Sequence, residues 1–240
     1  LVFIPMLTST TAPIKSYLSY TLPVVGAGWI IALTGLIDDV KELSAKKKMI
    51  GILLAASLVW FLTDFRLNDF KIPFGGPLLH FEPWLSYLLT VIWIVAITNA
   101  VNLIDGLDGL VSGVSIISLV TMGIVSYFFL PVPNLFLTMT IFVLVASIAG
   151  FFPFNYHPAI LYLGDTGALF IGFMISVLSL QGLKNATAVA VVTPMIILGV
   201  PITDTFLAII RRTLSGQKFY KPDRNHLHHR LLSLGLTHRG

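Results

Sequence analysis

PWLSYLLTVIWIVAITNAVNLIDGLDGLVSGVSIISLVTMGIVSYFFL (83–130) decides the fold of this chain. Two apolar runs flank the polar stretch NAVNLIDGLDGL (99–110). Each run is close to the ~20 residues a helix needs to cross a hydrocarbon layer of ~30 Å. Runs of the same kind lie on both sides. Helices are predicted near 21–37, 49–64, 84–104, 109–130, 134–152, 166–181 and 187–210, with a partial segment at about 1–10. The expectation is an all-α, polytopic transmembrane bundle of about seven complete helices. Of 240 residues, 56% are apolar and 11% are charged, against about 25% charged in soluble domains. A soluble domain could not hide so much apolar surface, and the ~10-residue alternating segments of a membrane barrel are missing. With no cysteine there is no disulfide framework and no thiol chemistry. The chain opens at Leu1 inside an apolar stretch, with no basic segment before a cleavage site, so it reads as an internal fragment and not as a signal peptide. Short loops and the lack of a linker or internal repeat predict a single domain over 1–240.

The unusual polar residues fall in five stretches: GLIDDVKELSAKKK (35–48), NAVNLIDGLDGL (99–110), FNYHPAILYLGDTGA (154–168), PITDTFLAIIRR (201–212) and KPDRNHLHHRL (221–231). Alternation of helices puts the loops at about 38–48, 104–109, 152–165 and 211–240 on one face, and those at 11–20, 65–83, 131–133 and 182–186 on the other. The first set holds eleven of the Lys and Arg residues and the second holds four, Lys15, Arg66, Lys71 and Lys184. By the positive-inside rule the first face is cytoplasmic.

Each candidate residue has a structural reading beside a chemical one. Asp38 and Asp39 end the first helix, where exposed acids are ordinary, yet a helix C-terminus disfavours anions. Asp105 and Asp108 suit Asp-Gly turns and an N-cap, but Asn99 and Asn102 just before them need partners at membrane depth. Asp165 in LGDTGA is a natural N-cap for the helix at 166–181, and the same geometry presents N–H groups to a phosphate. Asn155 lies in a Pro-bounded loop. Asp204 and Arg211, seven residues apart on one helical face, read equally as an ion pair. His226, His228, His229 and Arg230 form a basic cluster suited to phosphate, since a structural zinc site would call for cysteines or spaced carboxylates. Lys46, Lys47 and Lys48 read first as positive-inside residues that also attract anionic lipid. Several carboxylates meeting at one face repel, about 4 kcal/mol per pair at ~4 Å and an effective dielectric of ~20, so a convergent set calls for a cation. Carboxylate oxygens suit Mg²⁺ or Mn²⁺ completed by substrate phosphates, which predicts a pyrophosphate-bearing substrate.

DDxKE with a basic run, NxxNLIDGLDGL, FNxxPAxxxxGDTGA, PxxDT…RR and PDRxHxHHR, in this order, resemble the polyprenyl-phosphate N-acetylhexosamine-1-phosphate transferases from about residue 30 to the end. Leu227 interrupts the histidines, as in the branch that uses UDP-N-acetylglucosamine rather than the peptidoglycan branch. The resemblance implies transfer of GlcNAc-1-phosphate from UDP-GlcNAc to undecaprenyl phosphate, with release of UMP and a need for Mg²⁺, at the cytoplasmic face of a bacterial plasma membrane. It implies that Asp38 and Asp39 deprotonate or orient the lipid phosphate. Asp165 would bind Mg²⁺, with Asp108 as a further metal ligand. Asn102, Asp105, Asp108 and Asn155 would line the nucleotide site, and His226, His228, His229 and Arg230 would hold the pyrophosphate or sugar. Lys41, Lys46, Lys47 and Lys48 would attract the lipid phosphate. A homodimer is a family expectation and nucleic acid is not an expected partner. Family members have about ten or eleven helices, so the chain reads as truncated at both ends. The alternatives are the phospho-MurNAc-pentapeptide transferase of peptidoglycan synthesis and, from another class, a secondary transporter. A transporter would place its acids near the midplane and often show inverted repeats.

Overall fold

The computed structural model describes residues 11–71, 76–128 and 135–183. The predicted segments at 1–10, 131–133 and 187–210 and the loop at 211–240 lie outside these residues, and with them Lys184, Asp204, Arg211, His226, His228, His229 and Arg230. Six helices fill the described residues: α1 (Thr11–Lys41), α2 (Ala45–Leu62), α3 (Pro83–Leu103), α4 (Leu110–Phe128), α5 (Leu135–Asn155) and α6 (Gly164–Leu183). Five of them are long and apolar enough to cross a membrane: α1 over Thr21–Lys41, α3, α4, α5, and α6 over Gly164–Gln181. The protein is a multi-pass membrane protein.

Several boundaries correct the sequence reading. Residues 11–20, predicted as a loop, begin α1. The same helix runs on to Lys41, so Asp38 and Asp39 occupy its last turn and the predicted loop at 38–48 shrinks to 42–44. Helix α5 continues through Pro153 to Asn155, which cuts the 152–165 loop to 156–163. The predicted loop at 65–83 contains an antiparallel hairpin, β1 (Asp69–Lys71) and β2 (Leu78–His80), paired Asp69 to His80. Three-residue strands are too short for alternation to betray them.

Among the described residues, helices α3 and α6 contribute to both core clusters. One core cluster joins α1, α2, α3 and α6 through Ile31, Ile52, Val59, Ile94, Leu169 and Phe173. The other joins α3 to α6 through Ile97, Val101, Leu119, Ile141 and Ile175. Helix α6 feeds both, and Trp93 of α3 ties to it by donating its indole N–H to Ser179 Oγ at 3.0 Å. The outward side chains are large and apolar, Trp29, Leu33, Ile117, Phe128 and Met139 among them, as suits a lipid-facing surface. Association inside lipid rests on close packing rather than on the hydrophobic effect. The α1–α6 contact shows it: a Cβ on Gly35 would lie 2.5 Å from the Thr166 Cα, so only glycine lets α1 meet the start of α6.

The two ends of the bundle differ. At the hairpin end Trp60 donates to Ser86 Oγ at 3.2 Å, Ser86 donates to Asn68 at 2.9 Å, and the Arg66 guanidinium lies 4.9 Å from the Trp60 ring centre. Trp and Tyr gather at membrane–water interfaces. At the opposite end the turns 42–44, 104–109 and 156–163 come together with most of the acids.

Candidate active site

Asp38 is buried, 6% exposed. Its carboxylate accepts from the Leu43 N–H at 2.5 Å, which closes the turn after α1, and pairs with the Lys48 ammonium. Lys48 also reaches Asp165 Oδ2 at 3.1 Å. One ammonium from the first turn of α2 thus joins acids from α1 and α6. This explains how an anion is tolerated at the C-terminus of α1, where the helix dipole opposes it. Lys41, Lys46 and Lys47 remain exposed at the same end, whereas Lys48 turns inward.

Asp39 acts across the bundle. The N–H groups of Asp165 and Thr166 donate to its two oxygens at 2.7 and 3.0 Å, and the Thr166 hydroxyl donates at 2.5 Å. The start of α6 is therefore capped by a carboxylate 126 residues away in sequence. These N–H groups, open in sequence to a side-chain cap or to a phosphate, go to the protein's own anion, which satisfies donors that a helix start otherwise leaves orphaned. Gly164 precedes them at φ +61°, and a Cβ there would come within 2.9 Å of the Asp39 carboxylate.

Asn102, in the last turn of α3, donates its amide to Asp165 Oδ1. Asn99 bonds back to its own helix at Val95 O, 2.8 Å. Asp165 thus receives Asn102 and Lys48 on its side chain while its N–H goes to Asp39. Asp105 lies in the adjoining turn. Burial raises its pKa to about 6, with the charges of Asp165 and Asp39 adding to the shift. A folded-state pKa above the unfolded one means that the folded state holds the proton more tightly, so stability falls as pH rises from about 4 to 6 and stays lower beyond. Asp105→Asn is therefore expected to raise the melting temperature at pH 8 by a few degrees and to leave it unchanged near pH 4. Thermal melts of both proteins at the two pH values check this, and an equal effect at both would contradict it.

Asp108 faces a different neighbour. Its Oδ2 meets His157 Nδ1 at 2.8 Å and accepts from the Ala159 N–H at 3.1 Å. Asn155 is 4% exposed; its oxygen accepts from Ser112 Oγ at 2.7 Å and its amide donates to Leu161 O at 3.0 Å. These bonds fasten the 156–163 turn to α4 and α5. Between the turns lies a cavity of about 190 Å³ lined by Asp105, Asp108, Asn155, Tyr162 and Gly164. A second, apolar groove of about 500 Å³ runs between α1 and α6, along Val24, Trp29, Phe170 and Met174, and ends at Thr166 beside the acids.

The structure thus brings Asp38, Asp39, Asn102, Asp105, Asp165 and Lys48 together, with Asp108 and Asn155 across the smaller cavity. The acids offer oxygen donors only, and the charges of Asp165 and Asp39 add to the burial that raises the Asp105 pKa. Both suit a hard divalent cation such as Mg²⁺ or Mn²⁺. Among the described residues no three His, Asp or Glu side chains meet as a ready ligand cage. Thr166, His157 and Ser112 escaped the sequence reading. Only Thr166 carried a signal, as the residue after the Gly-Asp of GDTGA.

The profile described as glycosyl transferase family 4 matches residues 21–183. A probable undecaprenyl-phosphate N-acetylglucosaminyl 1-phosphate transferase from Bacillus subtilis (strain 168) is 45% identical over 217 residues, 90% of this chain and 59% of the relative. A decaprenyl-phosphate N-acetylglucosaminephosphotransferase from Mycolicibacterium smegmatis is 36% identical over 234 residues, 90% of this chain and 57% of the relative. An undecaprenyl-phosphate alpha-N-acetylglucosaminyl 1-phosphate transferase from Salmonella typhi is 29% identical over 215 residues, 88% of this chain and 58% of the relative. The chain therefore spans a little under three fifths of the length of these relatives.

Proposed function

The chain belongs to glycosyl transferase family 4, and on that footing we propose that the protein transfers GlcNAc-1-phosphate from UDP-GlcNAc to undecaprenyl phosphate, releasing UMP, at the cytoplasmic face of a bacterial plasma membrane. One observation carries the reading: the apolar α1–α6 groove ends at Thr166, beside the convergent acids. A lipid whose prenyl chain lies in that groove presents its phosphate to the polar cluster. The names of the Bacillus and Salmonella relatives point to the same acceptor and sugar, and that of the mycobacterial relative to the same sugar on a decaprenyl acceptor.

In this reading an oxygen of the lipid phosphate attacks the phosphorus that bears GlcNAc, and the bond from that phosphorus to the UMP oxygen breaks. Such a reaction asks mainly for positioning and charge neutralisation. Asp165, with Asp108 as the second acid named for the role, would hold Mg²⁺, which when bound supplies charge neutralisation at the diphosphate. Asp39 acts by fixing the first turn of α6, and so Asp165, in place. Asp38 holds Lys48 and the α1–α2 turn. A lipid phosphate is largely ionised at neutral pH, so these acids serve orientation more than proton removal. Lys41, Lys46 and Lys47 draw the anionic head group towards the face. Asp105 and Asn155 line the cavity for the nucleotide, and His226, His228, His229 and Arg230 supply cations for the pyrophosphate or sugar.

The test is UMP release by detergent-purified protein supplied with UDP-GlcNAc. The expected result is release that requires both Mg²⁺ and a polyprenyl phosphate. Release without the lipid, or none with all three present, would contradict the proposal.

A further inference from the structure

We propose that Lys48 is the resting-state counter-ion of the site: its ammonium stands between Asp38 and Asp165 and must give way when a divalent cation takes Asp165. This rests on the reading of Asp165 as the cation's ligand and deepens it.

The geometry sets Lys48 apart from its neighbours. Lys46 and Lys47 share its helical turn and are exposed, while the Lys48 side chain is only 20% exposed. An ammonium in the first turn of a helix lies at the positive end of the dipole, and partial burial adds a desolvation cost. Two carboxylates offset both. Among the described residues Lys48 is the one Lys or Arg paired with these acids. Its contact with Asp165 is to Oδ2, while Oδ1 is taken by Asn102. A divalent ion bound to Asp165 would find a positive charge already on one of the two oxygens, and like charges at contact distance exclude each other. Asp38 retains the departing ammonium close by, because its bond to Leu43 anchors it in the α1–α2 turn. The four-carbon stem of lysine lets the charge swing without moving the helix. Cation binding thereby frees an ammonium beside the position where phosphates arrive.

Two measurements on the detergent-purified protein test this without substrate. Mn²⁺ titrations read by electron paramagnetic resonance should show Lys48→Met binding the ion at least about fivefold more tightly than wild type, and Lys48→Arg within about twofold of it, as a coupling of this kind implies. In wild-type protein, acylation of Lys48 by an amine-reactive reagent, followed by mass spectrometry, should speed up on adding Mn²⁺ while Lys46 and Lys47 react as before. The labelling stands alone if Lys48→Met does not fold. Unchanged or weaker Mn²⁺ binding in a folded Lys48→Met, Lys48 labelling that Mn²⁺ leaves unchanged or slows, or no Mn²⁺ binding by wild type would each overturn the proposal. Failure of UMP release with the Mn²⁺ effects intact would instead sink the transferase reading and leave the counter-ion role standing.

Discussion

Asp165→Asn is expected to lower UMP release at least about a thousandfold, the scale on which charge-stabilising groups act in phosphoryl transfer, while the protein still folds. The substitution keeps the size of the side chain and an oxygen that can accept from the Asn102 amide. It leaves untouched the backbone N–H that Asp39 caps. What it removes is one negative charge, and with it the carboxylate that pairs with Lys48 and is proposed to bind a divalent cation. Asp165 also contributes to the repulsion that lifts Asp105, so the loss of charge relieves part of that strain and the melting temperature should stay within a few degrees of wild type. Steady-state kinetics and a thermal melt on the same preparation separate the two effects. Activity within about tenfold of wild type would mean that this carboxylate does not carry the chemistry, since one lost transition-state contact alone typically costs 10²–10³.

Gly35→Val is expected to damage both stability and activity. Already the first carbon of a side chain would lie 2.5 Å from the Thr166 Cα and 2.7 Å from both the Asp165 carbonyl oxygen and the Thr166 nitrogen. All three are backbone atoms, so no rotamer change relieves the clash; α1 and the start of α6 must part. Overpacking of this kind costs about 3 kcal/mol, which for a chain of this size lowers the melting temperature by roughly 6–12 °C. The same separation pulls Asp39 from the N–H groups of Asp165 and Thr166, so turnover should fall as well. Gly150→Ala is the matched control: nothing lies within 4 Å of a Cβ there, and alanine in an exposed helix interior is favourable by up to about 1 kcal/mol. Equal melting temperatures for Gly35→Val and wild type would refute the close approach of α1 and α6.

The helices were legible because a hydrocarbon layer dictates their length, and the runs at 84–104, 109–130, 134–152 and 166–181 needed adjustment only at their ends. The clustering of acids at one end was legible for the same reason, since alternation assigns every loop a side. Partnerships were not. Asp38 and Asp39 are adjacent in sequence, but helical rotation turns one towards Lys48 and the other towards α6, and nothing local distinguishes them. Lys46, Lys47 and Lys48 look alike as letters, and only packing decides which points inward. Asp165 looked like the cap of its own helix, whereas the cap comes from Asp39, because tertiary contact offered a better acceptor. Residues 11–20 read as the loop between the apolar runs at about 1–10 and 21–37, yet they belong to α1. The hairpin's strands were too short to register.

The proposed mechanism requires that Asp165 hold one divalent ion that meets a sugar diphosphate, in a site bordered by Asp38, Asp39 and Asp105. The most direct measurement is an experimental structure of the protein with Mn²⁺ and UDP-GlcNAc, the ion located by its anomalous signal. The ion should lie about 2.1 Å from an Asp165 oxygen, on the side of Asp105, with the diphosphate completing its shell and Lys48 withdrawn from Asp165. An ion bound away from Asp165, or a diphosphate held with Lys48 still seated between Asp38 and Asp165, would contradict it.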